Sequence, residues 1–346
     1  MTPMTVTLSD VAREAGVSLA TASRAINGSA NRTVRPDLRE KVLDAARRLR
    51  YSPDANAQAM ARGRTTALGL IVHDIADPYF STIASGVTSA AERAGLVVTL
   101  ASTERDGDRE LAFVELMQRQ RARAIILAGG RTADEEANAR LSSALEEYRS
   151  RGGGVAAVGQ PLLGVDTVTI ENQRATGELA SRLHALGYRR FGVLAGPEGH
   201  LTAEARFEGL RDGLAGLGVE IDDAHVVRGP FTRDGGFEGM RTLLGRSADG
   251  TCPVDAVFAV NDVMAVGAMA AARAAGLSVP DDVAIAGFDD ILTLRDIVPS
   301  LTTIRLPLAD IGVMATELAL APPRDEPRVV PVDGQVIVRD STPRRS

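Results

Sequence analysis

One stretch constrains the chain more than any other: Thr7-Leu8-Ser9-Asp10-Val11-Ala12-Arg13-Glu14-Ala15-Gly16-Val17-Ser18-Leu19-Ala20-Thr21-Ala22-Ser23-Arg24-Ala25-Ile26-Asn27. Two short runs with helical apolar spacing meet at Gly16-Val17-Ser18, with Val11 and Ala15 on one face of the first and Ala22 and Ile26 on one face of the second. That spacing predicts a helix-turn-helix. Thr7 or Ser9 can accept a backbone N–H where the first helix starts, and Asp10, three residues after Thr7, completes a capping box. Gly16 stands where a left-handed residue would end that helix, and Ser18 where it would cap the next.

In such a unit the second helix enters the major groove of DNA by its N-terminal end, bringing Leu19, Ala20, Thr21 and Arg24 within reach of base edges or phosphates. Arg24 can grip guanine or a phosphate with two N–H groups, and Thr21 and Ser23 suit single hydrogen bonds. Taken alone, the two runs also fit an ordinary helical hairpin with solvated Arg and Ser. A third amphipathic run over 34–49 follows, with Pro36 in its first turn and Leu38, Val42, Ala45 or Ala46 and Leu49 at helical spacing. After it comes a segment of small residues from Tyr51 to Arg64.

Here the resemblance is specific. Asp10-Val11-Ala12, Ala15-Gly16-Val17-Ser18, Thr21, Ser23-Arg24 and Asn27-Gly28, followed by Val42, Ala45, Leu49, Tyr51, Pro53, Ala57, Met60-Ala61 and Gly63-Arg64-Thr65, resemble the lactose-repressor (LacI/GalR) family of bacterial transcriptional regulators. The resemblance spans the whole chain. It implies an all-α helix-turn-helix head over 1–50, a hinge over 51–64 that becomes helical on DNA, and an α/β body like periplasmic sugar-binding proteins. That body would comprise two doubly wound parallel-sheet subdomains, 65–161 plus 292–321 and 162–291 plus 322–340, with crossings near Pro161, Ile291 and Pro322 and a tail at 341–346. The DNA-binding residues so implied are Thr7, Ser18, Leu19, Ala20, Thr21, Ser23, Arg24, Asn27, Tyr51, Asn56, Ala57, Met60 and Ala61. Met60 takes the position of a leucine-like wedge into the minor groove, with Ala57 and Ala61 flanking it.

Charge is distributed accordingly. Residues 1–64 carry eleven Lys/Arg against six Asp/Glu, and the remaining residues 28 against 39. A basic head on an acidic body suits a DNA binder whose body does not itself adhere to DNA. Two heads reading two half-sites imply at least a homodimer on a pseudo-palindromic double-stranded operator. No heptad run near the C-terminus indicates a tetramerising coil.

From Thr65 onward strands alternate with helices. Strands are expected at 68–72, 97–101, 124–128 and 155–158, with helices at 80–95, 108–121 and 135–151 between them. A second half opens at 167–170 and continues through helices at 175–186, 202–216 and 262–275, with strands at 191–195, 225–227, 256–260 and 283–288. This alternation predicts parallel sheets covered on both faces, with ligand at the carboxyl ends of the strands.

The strand ends nominate an effector set. Asp74-Ile75-Ala76-Asp77-Pro78-Tyr79-Phe80 resembles a family loop with Asp77 in place of its usual Asn: Tyr79 or Phe80 would stack on a sugar or base, and Asp74 would accept from hydroxyls. Arg206 matches the family's effector-reaching arginine, a forked donor that is always charged, with His200 and Thr202 upstream. Phe231, Asn261 and Asp289 match further cleft positions, while Asp262 reads as the N-cap of the helix that follows Asn261. Aromatics mixed with paired polar groups suit a sugar best and a nucleobase next.

Other classes are less consistent with the residues. The chain holds no G-x-x-x-x-G-K-[ST] loop, no G-x-S-x-G elbow and no Cys/His cluster, so neither an enzyme nor a cofactor is expected. The four histidines, His73, His184, His200 and His225, lack metal-ligand spacing. With a single cysteine, Cys252, and no long uncharged apolar run, the chain reads as cytoplasmic with no membrane partner. A solute-binding protein would account for the body but not for the head.

Overall fold

The computed structural model describes residues 6–27, 34–51, 64–246 and 252–345, and the chain divides into two compact units, Met1–Thr66 and Ala67–Ser346. The first contains helices Leu8–Glu14, Leu19–Asn27 and Pro36–Arg48. The expected capping box is present: Asp10 N–H donates to Thr7 Oγ1 at 3.4 Å, and Thr7 N–H donates to Asp10 Oδ2 at 3.0 Å. Gly16 turns the chain at φ +65°, and Ser18 Oγ accepts from Thr21 N–H at 3.1 Å.

Val11, Ala12, Ala22, Ala25, Val42 and Ala45 form the buried centre of this unit. Ala15 and Ile26, expected on the same faces as Val11 and Ala22, pack half-buried against this centre, with Ala12 and Ala25 buried beside them. Four of the six buried side chains are alanine methyls, which let the helices approach closely but bury little area, so caps and turn carry much of the specification.

The second unit is built on two parallel sheets. The first runs in the order β11 (Val329–Val332), β5 (Asp166–Ile170), β4 (Gly154–Val158), β3 (Ala124–Ala128), β1 (Ala67–Val72), β2 (Val97–Ser102). The second runs β7 (Val226–Val227), β6 (Phe191–Leu194), β8 (Ala256–Ala259), β9 (Ala284–Ala286). Between them β10 (Thr303–Arg305) and β12 (Gln335–Ile337) form an antiparallel pair. Helices cover the sheets in close pairs, Pro78–Arg93 against Leu308–Leu320 and Arg233–Leu244 against Asp262–Ala274. Each pair closes over glycine: a Cβ at Gly86 would overlap the Ala309 carbonyl oxygen, and one at Gly267 that of Arg233. Among the described residues no helix is long and apolar enough to cross a membrane.

Four expectations need correction. The strand over 167–170 does not open the second half; as β5 it pairs in parallel with β4 and β11. Residues 159–165, which join β4 to β5, contain no helix, and parallel neighbours ordinarily need a crossover of a dozen residues or more, so the pattern in sequence suggests a new half where there is none. The crossings consequently lie later than Pro161, Ile291 and Pro322. They fall near Glu171, between β5 and helix Asn172–Ala185, near Leu306 after β10, and near Asp333 between β11 and β12. Of the expected tail at 341–346, the described residues 341–345 pack onto the body: Ser341 and Thr342 are buried, Ser341 Oγ donates to Ile285 O at 2.6 Å, and Tyr188 Oη donates to Pro343 O at 2.7 Å. Helices Arg233–Leu244 and Leu308–Leu320 were not expected at all; glycines break up the first, and the second is so uniformly apolar that its period is hidden.

Candidate functional site

Two places gather the residues nominated from sequence, and local sequence positions the first. On helix Leu19–Asn27 the N-terminal residues Ser18, Leu19 and Ala20 are exposed, Leu19 to 51%. An exposed leucine at the start of a helix that is anchored by Ala22 and Ala25 has no packing role. Thr21 and Ser18 share a hydrogen bond between hydroxyls at 2.9 Å, Asn27 Nδ2 donates to Ser23 Oγ at 3.3 Å, and Arg24 Nε donates to Ala20 O at 2.9 Å. Arg24, half-buried, makes no ion pair with a carboxylate among the described residues, unlike Arg13, Arg35, Arg47 and Arg48. Thr7 is engaged in the capping box, and Tyr51 packs against the small core. Both are structural members of the head. Asn56, Ala57, Met60 and Ala61 lie outside the described residues.

The second place is the cleft between the two sheets. Its walls bring together Tyr79, Phe80, His200, Thr202, Arg206, Phe231, Asn261 and Asp289, eight of the nine positions nominated from sequence, from segments up to some two hundred residues apart. Asp74 is the exception. Its carboxylate accepts from Ala76 N–H at 2.9 Å and stands 3.8 Å from Arg105, which takes the place at the wall.

His73, Asp77, Arg105 and Gly130 also line the cleft and were not nominated. Asp77 and His73 belong to or adjoin the loop already singled out, and Gly129-Gly130 follows β3 at a carboxyl end where ligands sit, so these had a signal. Arg105 had none: it reaches the wall from a turn in which Glu104 and Arg105 take φ of +56° and +64°.

Arg206 organises the cleft. Buried to within 3% of completely, it donates to Asn172 Oδ1 at 2.9 Å, Val260 O at 2.7 Å and Asp289 Oδ1 at 3.0 Å, and its guanidinium lies 3.6 Å from the centre of the Phe288 ring. Asp289 sits at φ +118°, a conformation costly for any residue with a Cβ. It is held there by backbone bonds to both sides of β10, to Ile304 O at 2.8 Å and from Leu306 N–H at 3.4 Å. Burial raises the pKa of Asp289, opposed by the charge of Arg206 and aided by Asp77; burial raises Asp77 likewise.

The neighbouring carboxylates have roles that the sequence did not separate. Asn261, not Asp262, caps helix Asp262–Ala274, accepting from Met264 N–H at 3.0 Å. Asp262 is instead wholly buried, accepting from Thr303 Oγ1 at 2.7 Å and Ile291 N–H at 3.0 Å, and burial beside Asp289 pushes its pKa well up. Asp290 holds Arg305 and Arg339, each at 2.6 Å, so the residue after Asp289 ties down both chain segments at the late crossings.

Two histidines face each other across the cleft, with ring centres 6.4 Å apart. Burial, then the nearby arginines, lowers the pKa of His200 to about 4 and that of His73 well below the usual imidazole value. Both are therefore neutral near pH 7, each with one donor and one acceptor nitrogen. His200 Nδ1 is buried without a hydrogen-bond partner. Burial also raises the pKa of the Tyr79 hydroxyl, which stays protonated.

The two walls are stitched together. Leu201 N–H donates to Arg131 O at 2.9 Å, Ala133 N–H to Gly199 O at 2.8 Å, Gln160 Nε2 to Thr202 Oγ1 at 3.0 Å and Arg105 to Phe231 O at 3.0 Å. Only about 50 Å³ of cavity remains inside, against ~300 Å³ or more for a typical small-molecule site.

Comparison with known proteins identifies the two units that hold these places. Residues 7–54 match the family described as "Bacterial regulatory proteins, lacI family", and residues 180–342 match the "Periplasmic binding protein-like domain". The HTH-type transcriptional regulator DegA of Bacillus subtilis (strain 168) is 33% identical over 312 residues, 89% of each chain. Among solved structures, the complex of transcriptional regulator CelR with cellobiose is 31% identical, with a TM-score of 0.70 over 97% of this chain and 99% of that one. The lac repressor dimer bound to operator and the anti-inducer ONPF is 25% identical, with a TM-score of 0.81 over the same shares. With the helix-turn-helix unit, the two-sheet body and relatives matched over nearly their full length, the chain belongs to the LacI family of bacterial transcriptional regulators.

Proposed function

We propose that the protein is a repressor that binds a pseudo-palindromic operator as a homodimer, and that a sugar held in the cleft sets its operator affinity. The observation that carries the sugar reading is the pairing of aromatic rings, Tyr79 and Phe231, with fixed polar groups, Arg206, Asp289, Asn261 and the unpartnered His200 Nδ1, in one buried place. Rings cover the apolar face of a pyranose, and paired donors and acceptors satisfy its hydroxyls. That CelR is named in complex with cellobiose supports the same class. The head reads DNA through Leu19, Ala20, Thr21, Ser23 and Arg24, and Met60 wedges the minor groove at the operator centre. The protein acts in the cytoplasm, where the operator is.

A second copy has a surface to meet. The edge strand β2 exposes Val97 to 69% and Leu100 to 43%, and an apolar sheet edge of this kind is ordinarily covered by a partner. Control follows from hinge geometry. The stitched cleft must open for a sugar to enter, and the three crossings near Glu171, Leu306 and Asp333 would carry that motion. A sugar shifts the operator-competent population only by binding the open and closed forms with different affinity.

The test is Arg206→Gln. Fluorescence anisotropy on operator DNA is expected to show unchanged binding without sugar and no response to the sugar that shifts the wild type. A variant that still responds fully would remove Arg206 from the effector site.

A further inference from the structure

A second cavity opens beside the cleft. It measures about 210 Å³, roughly four times the room left in the cleft, and His73, Arg105, Gly130 and His200 wall both. Its floor is an ion pair with no freedom: Arg131 donates to both carboxylate oxygens of Glu110, at 2.6 and 2.8 Å, and each residue is more than nine-tenths buried. Its sides are the first turns of helices Gly107–Arg119 and Glu135–Ser150, where the capping carboxylate Asp106 accepts from Asp108 and Arg109 N–H and Asp134 from Ala137 N–H. The negative charge of these caps disfavours an anion there. Three arginines on the wall face four carboxylates, a near balance that favours a neutral molecule rich in hydroxyls.

The boundary between the two cavities is itself incomplete. His200, 8% exposed, stands edge-on to Phe231 with ring centres 4.7 Å apart, and its Nδ1 has no partner. Gly130 packs tightly here, since a Cβ there would overlap Thr202 Oγ1 and come within 2.7 Å of His200 Cε1, so only a glycine lets His200 and Thr202 stand this close to the loop between the two cavities. The loop holding Gly130 is also the loop that stitches the cleft shut, through Arg131 O to Leu201 N–H.

We infer that the effector is a two-unit saccharide, with one ring between Tyr79 and Phe231 in the cleft, the second in the side cavity, and His200 Nδ1 hydrogen-bonded where the units join. This rests on the sugar reading of the cleft. A ligand that fills both cavities touches the seam from both sides, so the second unit reports on closure and strengthens the coupling between sugar and hinge.

Calorimetric titration of the full-length protein tests it, with cellobiose, maltose, lactose, melibiose and trehalose each run beside its constituent monosaccharides. At least one disaccharide is expected to bind about tenfold or more tighter than either constituent, the equivalent of ~1.4 kcal/mol. Ala137→Trp, on a half-buried helical position lining only the side cavity, should remove that advantage and leave monosaccharide affinity unchanged. Asn138→Ala, which takes from the same wall an amide whose Nδ2 also donates to Thr132 O at 2.9 Å, should reduce it while leaving the monosaccharide affinity unchanged. Monosaccharide binding with no disaccharide advantage overturns the two-unit inference and leaves the cleft reading standing. Binding of no saccharide overturns both. An advantage undiminished in the folded variants places the second unit elsewhere and also overturns the inference.

Discussion

The head and the cleft specify themselves in opposite ways. In the head every working bond is local: Thr7 meets Asp10, Ser18 meets Thr21, Arg24 meets Ala20, and the side chains proposed to read DNA stand exposed (Leu19, Ala20) or half-buried (Thr21, Ser23, Arg24) with only neighbours in sequence to hold them. In the cleft the working side chains are buried and held by distant partners: Arg206 by Asn172, Val260 and Asp289, and Asp289 by β10. A DNA reader meets its partner at an existing surface, so its residues need only be presented. A sugar site must exclude water, so most polar groups there need a partner before the sugar arrives, and one without, His200 Nδ1, is left for the ligand. The head is thus tuned by changes that cost little stability, whereas changes in the cleft affect folding as well as binding.

The largest expected difference comes from Arg206→Ala. It leaves the Asp289 carboxylate, 4% exposed, without its cation, a defect worth ~3–5 kcal/mol. Urea denaturation should show the body losing about that much, with most of it restored when Asp289 is replaced by Asn as well. A loss below ~1 kcal/mol would mean the pair is not a buried, committed one, and the contrast with the head would fail there.

Next comes pH. Because the folded pKa of His200 is depressed to about 4 from an unfolded value near 6.5, the unfolded state binds more protons between those values. The stabilisation is therefore present above pH ~6.5 and lost as pH falls towards 4. The stability difference between wild type and His200→Gln should change by up to ~3 kcal/mol across that window and stay flat above it. A flat difference throughout would mean His200 is solvated.

Arg24→Ala should move in the other direction. Stability changes by ~1 kcal/mol at most, since Arg24 is half-buried and its one bond, to Ala20 O, is local, while the preference for operator over random DNA falls by ~1–3 kcal/mol. Equal losses on operator and random DNA would make Arg24 a phosphate contact. The smallest effect is Thr7→Ala, which removes one half of the capping box and should lower the stability of the head by ~1 kcal/mol without changing operator preference.

These same properties decided what the sequence disclosed. The head was legible nearly residue by residue, because capping boxes and turn glycines act over three or four positions. The named faces do line its core, but the sequence did not show that Ala12 and Ala25 lie deeper than Ala15 and Ile26, because among alanines hydrophobicity does not mark the centre of a face. In the body, strands β1 to β4 were legible as apolar runs, and eight of nine nominated positions reached the cleft wall, since strand ends are where such walls form. What escaped depends on long-range pairing. The β4–β5 neighbourhood contradicts the usual crossover length, the exchange of capping between Asn261 and Asp262 depends on Thr303 lying alongside, and Arg105 arrives from a left-handed turn that no motif announces.

The most direct test is to select fragmented genomic DNA from the source organism on the full-length protein at fixed salt, in parallel with and without the sugar that binds it, and sequence what is retained. Pseudo-palindromes with half-sites about 10 base pairs apart, centre to centre, should be enriched in one arm and depleted in the other. Equal enrichment in both arms would separate the cleft from DNA binding, and no enriched sequence in either arm would contradict the reading of the head.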